Sequence, residues 1–232
     1  MLKTIVSWSS GKDSAWMMQV LRARADVEVG GLVTTINEAA QRVAMHAVRV
    51  ALLDAQAAAL ALPVWTVPLP SPCSNEAYEQ AMRGVVERAV AEGFTHMAFA
   101  DLFLEDIRRY REERLAGSGL TPLFPLFGVN TTALAREMLA AGLRARLTCV
   151  DPRVLDRRFA GREFDAALLA DLPPSVDPCG ERGEFHTFAY AGPMFRRPIA
   201  IETGAVVERD GFVFADLVPA PAAARTDEAS LP

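Results

Sequence analysis

The residues best suited to chemistry form a turn of small side chains near the start of the chain: Ser9, Ser10, Gly11, Lys12, Asp13 and Ser14. The turn follows an apolar run that predicts a strand, and it precedes a stretch with helical periodicity. Backbone N–H groups and the positive end of a helix dipole converge at such a helix start, so phosphate is the expected guest. Glycine would let the backbone approach the phosphate, while the serine hydroxyls and the lysine add donors and charge. The aspartate could orient the loop or hold Mg²⁺.

Two common phosphate-binding loops do not fit this turn. A Walker A loop needs G-x-x-x-x-G-K-[ST], but Val6 occupies the first glycine position and Asp13 follows the lysine. The dinucleotide fingerprint G-x-G-x-x-G is also absent. The pattern S-x-G-x-D-S after a strand resembles the pyrophosphate-binding loop of PP-loop ATP pyrophosphatases. A serine-rich helix cap without a ligand is the alternative.

A second candidate is the carboxylate of Asp101, which follows the fourth predicted strand over residues 95–100. Strand ends in a parallel sheet face one crevice, so Asp101 is expected opposite the phosphate loop, where it could hold Mg²⁺ or a substrate amine. It could equally cap the next helix. The arginines and glutamates of residues 108–114 predict a salt-bridged helix face, from which one arginine could reach an anionic substrate.

The third candidate is a loop shaped by glycines within residues 177–187, which carries Glu181, Glu184 and His186. Glu184 and His186 would share a face if a strand begins there. Carboxylates and an imidazole suit ammonia handling, proton transfer or substrate binding. A zinc or iron site is the rival interpretation, although the loop offers one imidazole and an unconvincing ligand spacing. An ordinary surface turn is the third possibility.

Alternating strand and helix patterns surround these stretches. They predict a Rossmann-like parallel sheet with helices on both faces, since βαβ units form such sheets. Thr34 and Thr35 end the second predicted strand and are therefore candidate nucleotide contacts. The predicted strands cover residues 2–6, 27–35, 64–67, 95–100 and 143–150, and the predicted helices follow the loop and cover 41–62, 75–92 and 131–142.

The pattern changes to shorter elements after residue 150. We therefore expect an ATP-binding domain over residues 1–150 and a smaller C-terminal α+β lobe over 151–218, which ends in a hairpin with an Asp210-Gly211 turn. Residues 120–127 are predicted to be a connector. The alanine- and proline-rich residues 219–232 are predicted to be disordered.

Composition narrows the function classes. The chain has 232 residues, 51% hydrophobic side chains and a net charge of −5, which describes a globular protein without the basic face of a nucleic-acid binder. No apolar run is long enough to cross a membrane and no signal peptide is evident, so a cytoplasmic location is expected. The three cysteines lack C-x-x-C spacing, which disfavours a disulfide framework or a structural zinc site.

Taken together, the three candidate stretches resemble the diphthine–ammonia ligase family of PP-loop ATP pyrophosphatases, over residues 1 to about 218. The most specific part is Gly-Glu-Arg-Gly-Glu-Phe-His-Thr at residues 180–187. The resemblance implies a ligase that uses ATP and Mg²⁺ to adenylate a carboxylate and ammonia to amidate it, releasing AMP and pyrophosphate. It assigns the pyrophosphate to Ser9, Gly11, Lys12, Asp13 and Ser14, and the acceptor and amine to Asp101, Glu181, Glu184 and His186.

Two departures and one compositional feature qualify the resemblance. Ser10 and Ala100 stand where relatives commonly have glycine. The chain is rich in alanine and arginine and has two lysines, which is typical of bacteria; bacteria do not make diphthamide, so the acceptor of a bacterial member would be a different carboxylate. A PP-loop tRNA-modifying enzyme and a non-catalytic nucleotide-binding module are the alternatives. A homodimer is possible, and the source of ammonia is open.

Overall fold

A mostly parallel sheet forms the base of the computed structural model, which describes residues 1–44 and 46–220. Its strands run in the order β3-β2-β1-β5-β6, with β4 paired to β2. Every pairing is parallel except that of β3 with β2. The predicted α/β class is therefore confirmed. The strands are β1 Leu2–Ser7, β2 Val27–Asn37, β3 Arg42–Val43, β4 Val64–Leu69, β5 His96–Ala98 and β6 Thr121–Leu123.

Helices cover both faces of this sheet, because side chains alternate between the faces along each strand. Val6 points into a core shared with α1 and α2 on one face. Its neighbour Ile5 points into a second core, shared with α3 and α4 on the other face. The helices are α1 Lys12–Arg22, α2 Val50–Leu60, α3 Asn75–Ala91, α4 Glu105–Leu115, α5 Thr131–Ala140 and α6 Ala166–Asp171. Among the described residues, no helix is both long and apolar enough to cross a bilayer.

An antiparallel sheet forms the C-terminal part, in the order β8-β7-β10-β9. The strand predicted over residues 143–150 forms as β7, and it pairs with β8 and β10 in this second sheet. The predicted hairpin forms around Asp210 and Gly211, whose φ angles of 53° and 79° suit a tight turn. The division into domains at residue 151 stays a prediction. The strands are β7 Arg144–Val150, β8 Phe185–Ala191, β9 Ile201–Arg209 and β10 Phe212–Pro219.

The C-terminal tail predicted over residues 219–232 is only partly described. Pro219 is the last residue of β10. From residue 221 on, the predicted tail lies outside the described residues.

The helix predicted over residues 41–62 is wrong in its first part. Arg42 and Val43 form β3 against Ile36–Asn37 of β2, and α2 begins only at Val50. Pairing with β2 supplies the backbone hydrogen bonds of these two residues. Tertiary pairing therefore overrides the helical periodicity that the sequence shows in this stretch.

The connector predicted over residues 120–127 contains a strand. Thr121–Leu123 form β6, which pairs with β5 at the edge of the parallel sheet. Pro122 lacks an N–H donor, but an edge strand tolerates this because one side needs no partner. The proline and aromatic residues of this stretch are typical of a connector, so the sequence pattern did not predict a strand of three residues.

Gln56 of α2 joins the phosphate-loop region to the second sheet. Its side chain is fully buried. Its amide Nε2 donates to the carbonyls of Ser10 (3.0 Å) and Ala189 (2.6 Å), and its Oε1 accepts from Trp8 Nε1 (2.9 Å). The amide thus fastens the end of β1, the turn and β8 to one another.

We expect Gln56→Met to lower the free energy of unfolding by about 2–4 kcal/mol, because it leaves the buried Trp8 N–H without its partner. Urea denaturation measures the difference. Gln80→Met, at an exposed position of α3, is the matched control and should change stability by less than about 0.5 kcal/mol. Equal stability of the two variants would contradict a role for Gln56 in holding the turn.

Candidate active site

A cleft of about 530 Å³ lies at the carboxyl ends of β1, β2 and β5 and is covered by residues 179–187. Most of the predicted site residues meet there. Ser10, Gly11 and Glu184 do not line it. Those that do are Ser9, Lys12, Asp13, Ser14, Thr34, Thr35, Asp101, Glu181 and His186.

The N-terminus of α1 opens into this cleft. Gly11 is the N-cap and supplies no side-chain cap. Ser9 Oγ lies 2.6 Å from Ser14 Oγ and accepts from the Gly11 N–H at 3.3 Å, so the two hydroxyls brace the turn. A helix start framed by hydroxyls and without a capping side chain can bind an anion.

Ser10 has a left-handed backbone, with φ of 69°. Its carbonyl accepts from the Ala189 N–H and from Gln56. Its buried hydroxyl has no partner among the described residues. Glycine adopts this conformation without a steric cost, which is consistent with the glycine that the resemblance expects at this position. The hydroxyl of Ser10, unlike those of Ser9 and Ser14, does not face the cleft.

The imidazole of His46 packs closely against Gly11. A Cβ at this position would lie 2.9 Å from His46 Cε1. The space above the turn is therefore already occupied by the imidazole, and alanine at position 11 would displace it.

Lys12 is directed toward the C-terminal segment. Its buried Nζ donates to Asp13 Oδ2 at 2.9 Å and to the carbonyl of Cys179. It also lies 5.4 and 5.3 Å from the ring centroids of Phe164 and Phe185. Burial is the largest influence on the pKa of Lys12 and acts to lower it, but Asp13, Cys179 and Asp177 together outweigh burial and raise the pKa. The ammonium is therefore charged and joins the turn to the loop that covers the cleft.

Thr34 and Thr35 form the wall beside β2. The Thr34 hydroxyl is buried and donates to the Trp8 carbonyl at 2.8 Å, so it fixes the end of β1. Thr35 is half-buried.

Asp101 is paired with an arginine of the charged run on α4. Arg111 Nε donates to Asp101 Oδ2 at 2.8 Å, and the guanidinium lies 4.4 Å from the Phe99 ring centroid. The N-cap of α4 is Leu104, so Asp101 does not cap that helix. The sequence indicated that one arginine of the run could face a substrate, and the structure brings Arg111 into the cleft.

Glu181 faces the cleft with a strongly shifted acidity. Its Oε1 accepts from the Leu102 N–H at 2.7 Å. Burial raises the pKa of this carboxyl to about 7, and the negative charges of Asp13 and Asp101 add to the effect, while the Leu102 N–H opposes it. Glu181 can therefore exchange a proton near neutral pH.

Two imidazoles lie against each other beside the turn, with their planes tilted by 43°. The ring centroids of His46 and His186 are 4.6 Å apart, and His46 Nδ1 lies 3.0 Å from the Thr187 carbonyl oxygen. Because a carbonyl only accepts, the proton sits on Nδ1 and the lone pair of Nε2 stays available. Burial lowers the pKa of His46 to about 4, although the hydrogen bond with the Thr187 carbonyl opposes the shift. Burial, followed by the neighbouring His46 and Lys12, lowers the pKa of His186 to about 3. Both rings are neutral at physiological pH.

Glu184 is turned away from the cleft. Its Oε1 accepts from the Asp177 N–H at 3.0 Å and its Oε2 from the Arg182 N–H at 2.9 Å. Asp177 acts similarly, accepting from the Cys179 N–H at 2.9 Å. These carboxylates shape the covering loop, and the catalytic role predicted for Glu184 stays a prediction.

The carboxylates do not form a metal cage. Within residues 1–44 and 46–220, no three His, Cys, Asp or Glu side chains are grouped closely enough to hold an ion. Mg²⁺ usually takes one or two carboxylates together with substrate phosphates and water. A single carboxylate such as Asp13 fits that mode, in which a bound polyphosphate supplies further ligands.

Two family models match the chain. The diphthamide synthase N-terminal domain matches residues 2–116, and the diphthamide synthase C-terminal domain matches residues 130–214. Together they include all three candidate stretches.

Curated relatives agree with the family models. The chain is 28% identical over 237 residues to the diphthine–ammonia ligases of Bos taurus and Homo sapiens, which covers 89% of this chain and 85% of each relative. It is 29% identical to the enzyme of Rattus norvegicus, over 75% of this chain and 69% of the relative. The chain therefore belongs to the diphthamide synthase (diphthine–ammonia ligase) family and is a carbon–nitrogen ligase.

Proposed function

We propose that the protein adenylates a substrate carboxylate with ATP and transfers the acyl group to ammonia, giving a primary amide, AMP and pyrophosphate. Family membership supports an ATP-dependent ligase that uses ammonia. The observation that carries the proposal is the single cleft that joins the start of α1 to Glu181 and His186. An anion site and a proton acceptor are thus available to one substrate complex.

The triphosphate would lie at the start of α1. Ser9 and Ser14 offer hydroxyls there, and the helix dipole favours the negative charge that develops on departing pyrophosphate. Lys12 adds positive charge to the wall while its ammonium stays bound to Asp13. Thr34 and Thr35 lie within β2, two to three residues before its end at Asn37, and line the cleft, where they would contact the nucleoside.

Magnesium is a proposed cofactor. Asp13 would hold it together with the phosphates, and Asp101 and Glu181 line the same cleft. Mg²⁺ supplies Lewis-acid charge stabilisation to a phosphoryl group.

The proposed reaction has two balanced steps. A carboxylate oxygen attacks the α-phosphorus, the bond to pyrophosphate breaks, and an acyl-adenylate forms. Ammonia then attacks the acyl carbon, the bond to AMP breaks, and the nitrogen loses a proton. The acceptor could be diphthine, which the relatives' names specify, or another carboxylate.

Glu181 is the best proton acceptor in the cleft. A general base works best when its pKa lies near the working pH, and the pKa of Glu181 is about 7. His186, with a pKa of about 3, is a weak base but can accept a hydrogen bond from ammonia. Glu184 would act by holding the loop that presents both residues. Because the reaction draws on cellular ATP, we place it in the cytoplasm.

Product analysis tests this function. The protein is incubated with α-labelled ATP, ammonium and an acceptor whose carboxylate carries ¹⁸O, either a diphthine-bearing protein or a set of metabolite acids. We expect AMP that contains one ¹⁸O atom, together with pyrophosphate. Formation of ADP, or AMP without the label, would contradict acyl-adenylate chemistry.

We expect Asp13→Asn and Ser14→Ala to lower AMP formation at least about tenfold, or roughly 1.4 kcal/mol of transition-state stabilisation. Each change removes a group that lines the anion site. Asp54→Asn, at an exposed position of α2, is the charge-matched control and should retain full turnover. Unchanged turnover in both loop variants would show that triphosphate binds elsewhere.

The raised pKa of Glu181 predicts a pH-dependent stability. Between pH 4.5 and about 7 the folded protein holds a proton at this site that the unfolded chain releases, so folding loses stability as pH rises through this window. Glu181→Gln removes the effect, and we expect it to gain about 1–2 kcal/mol over the wild type between pH 5 and pH 8, after allowance for solvent screening. Urea denaturation at both values measures the gain. A constant difference between the two proteins would rule out the shifted pKa.

A further inference from the structure

We propose that the groove between α3 and α4 binds the body of the acceptor, and that the acceptor is a carboxylic acid with an elongated apolar part. This inference rests on the proposed function, because it takes the cleft as the place where the carboxylate reacts. The groove has a volume of about 670 Å³, comparable to the cleft itself. None of the residues that line it belongs to the phosphate loop at residues 9–14 or to residues 179–187, which cover the cleft.

One face of α3 forms the long wall of the groove. Tyr78, Met82, Val86 and Val90 follow one another at intervals of four residues, so they project on the same side of the helix. This row extends for about 18 Å at the rise of an α-helix. The wall is therefore long, continuous and apolar except for the tyrosine hydroxyl.

The floor and the opposite wall are also largely apolar. Met97 and Phe99 come from β5 and the residues after it, and Leu115 comes from the end of α4. Val90 keeps 40% of its surface exposed, although an apolar side chain of this kind gains by being covered. A concave apolar surface of this length suits an elongated apolar ligand.

Charges at the rim balance one another. Arg114 of α4 pairs with Glu79 of α3 at 2.5 Å, so this contact spans the groove. The other charged residues at the rim include both signs, with a positive charge on Arg83 and negative charges on Glu87 and Glu113. The groove therefore discriminates mainly by apolar contact along its length, with charge recognition concentrated at one end.

Arg111 lies at the end of the groove that opens into the cleft. Tyr78, Met82, Phe99 and Arg111 line both spaces, so the two are continuous. The Arg111 side chain is 25% exposed and already pairs with Asp101, and a guanidinium has five N–H donors in a planar fork. It can therefore receive a second carboxylate, which would orient the acid with its reactive end toward the phosphate loop and its apolar part along α3.

The test uses phenylacetate, 4-phenylbutyrate and 8-phenyloctanoate as probes. Their dissociation constants are measured by calorimetry on the whole protein without turnover. We expect affinity to rise at least about tenfold from the shortest to the longest acid, because each added methylene reaches further along the apolar wall. We expect 8-phenyloctanol, which lacks the carboxylate, to bind at least about tenfold more weakly than the matching acid.

Three tryptophan substitutions on α3 test whether the acids bind in the groove. Val86→Trp fills the middle of the groove and should abolish the advantage of 8-phenyloctanoate over phenylacetate. Val90→Trp fills the far end and should weaken only the longest acid, which keeps the test valid if the first variant folds poorly. Gln80→Trp places the same side chain on the exposed face of α3 and should leave all affinities unchanged.

Equal affinity for short and long acids, or a length dependence that both groove variants retain, would overturn the proposal. Binding is measured apart from catalysis, so its outcome differs from that of the product analysis. Acids that bind in the groove while no carboxylate yields AMP would contradict the proposed function and leave the groove as an apolar-acid site. AMP formation without groove binding would support the function and refute the groove.

Discussion

The buried ammonium of Lys12 is the contact on which the site depends. It carries a charge at the start of α1, and that charge is satisfied by Asp13 from the same turn and by the carbonyl of Cys179 from the distant covering loop. A buried charge without partners would be costly, so the turn and the loop must stay together for the ammonium to remain where it is. This contact and the Gln56 amide both join the turn to the C-terminal part of the chain.

Several acidic residues of the site hold its structure together, whereas Glu181 can exchange a proton near neutral pH. Glu184 and Asp177 bind backbone N–H groups, and Asp101 pairs with Arg111. Glu181 faces the same cleft with one N–H partner and a pKa near 7. Burial raises the pKa of Glu181 and its backbone N–H partner opposes this only in part, so its protonation can change during a reaction near neutral pH.

Much of this arrangement could be predicted from the sequence, since it follows from local patterns. Alternation of strands and helices predicts the parallel sheet, and a parallel sheet predicts that Asp101 faces the turn at residues 9–14. What could not be predicted depends on contacts between distant residues. His46 reaches the site only because β3 pairs with β2, and Arg111 is one of several similar arginines until the fold selects it. The buried role of Gln56 has one local signal, a lone amide in an apolar, alanine-rich helix.

Backbone hydrogen exchange in Lys12→Met tests most directly whether Lys12 joins the turn to the covering loop. The structure predicts that amides in residues 177–187 exchange at least about tenfold faster than in the wild type, while those of β1 and β5 keep their protection. Lys3→Met is the control, since the other lysine binds the carbonyl of Glu92 at the surface and should leave residues 177–187 unchanged. Unchanged exchange in residues 177–187 of Lys12→Met, together with lost ATP binding, would show that Lys12 serves as a phosphate ligand and does not hold the site together.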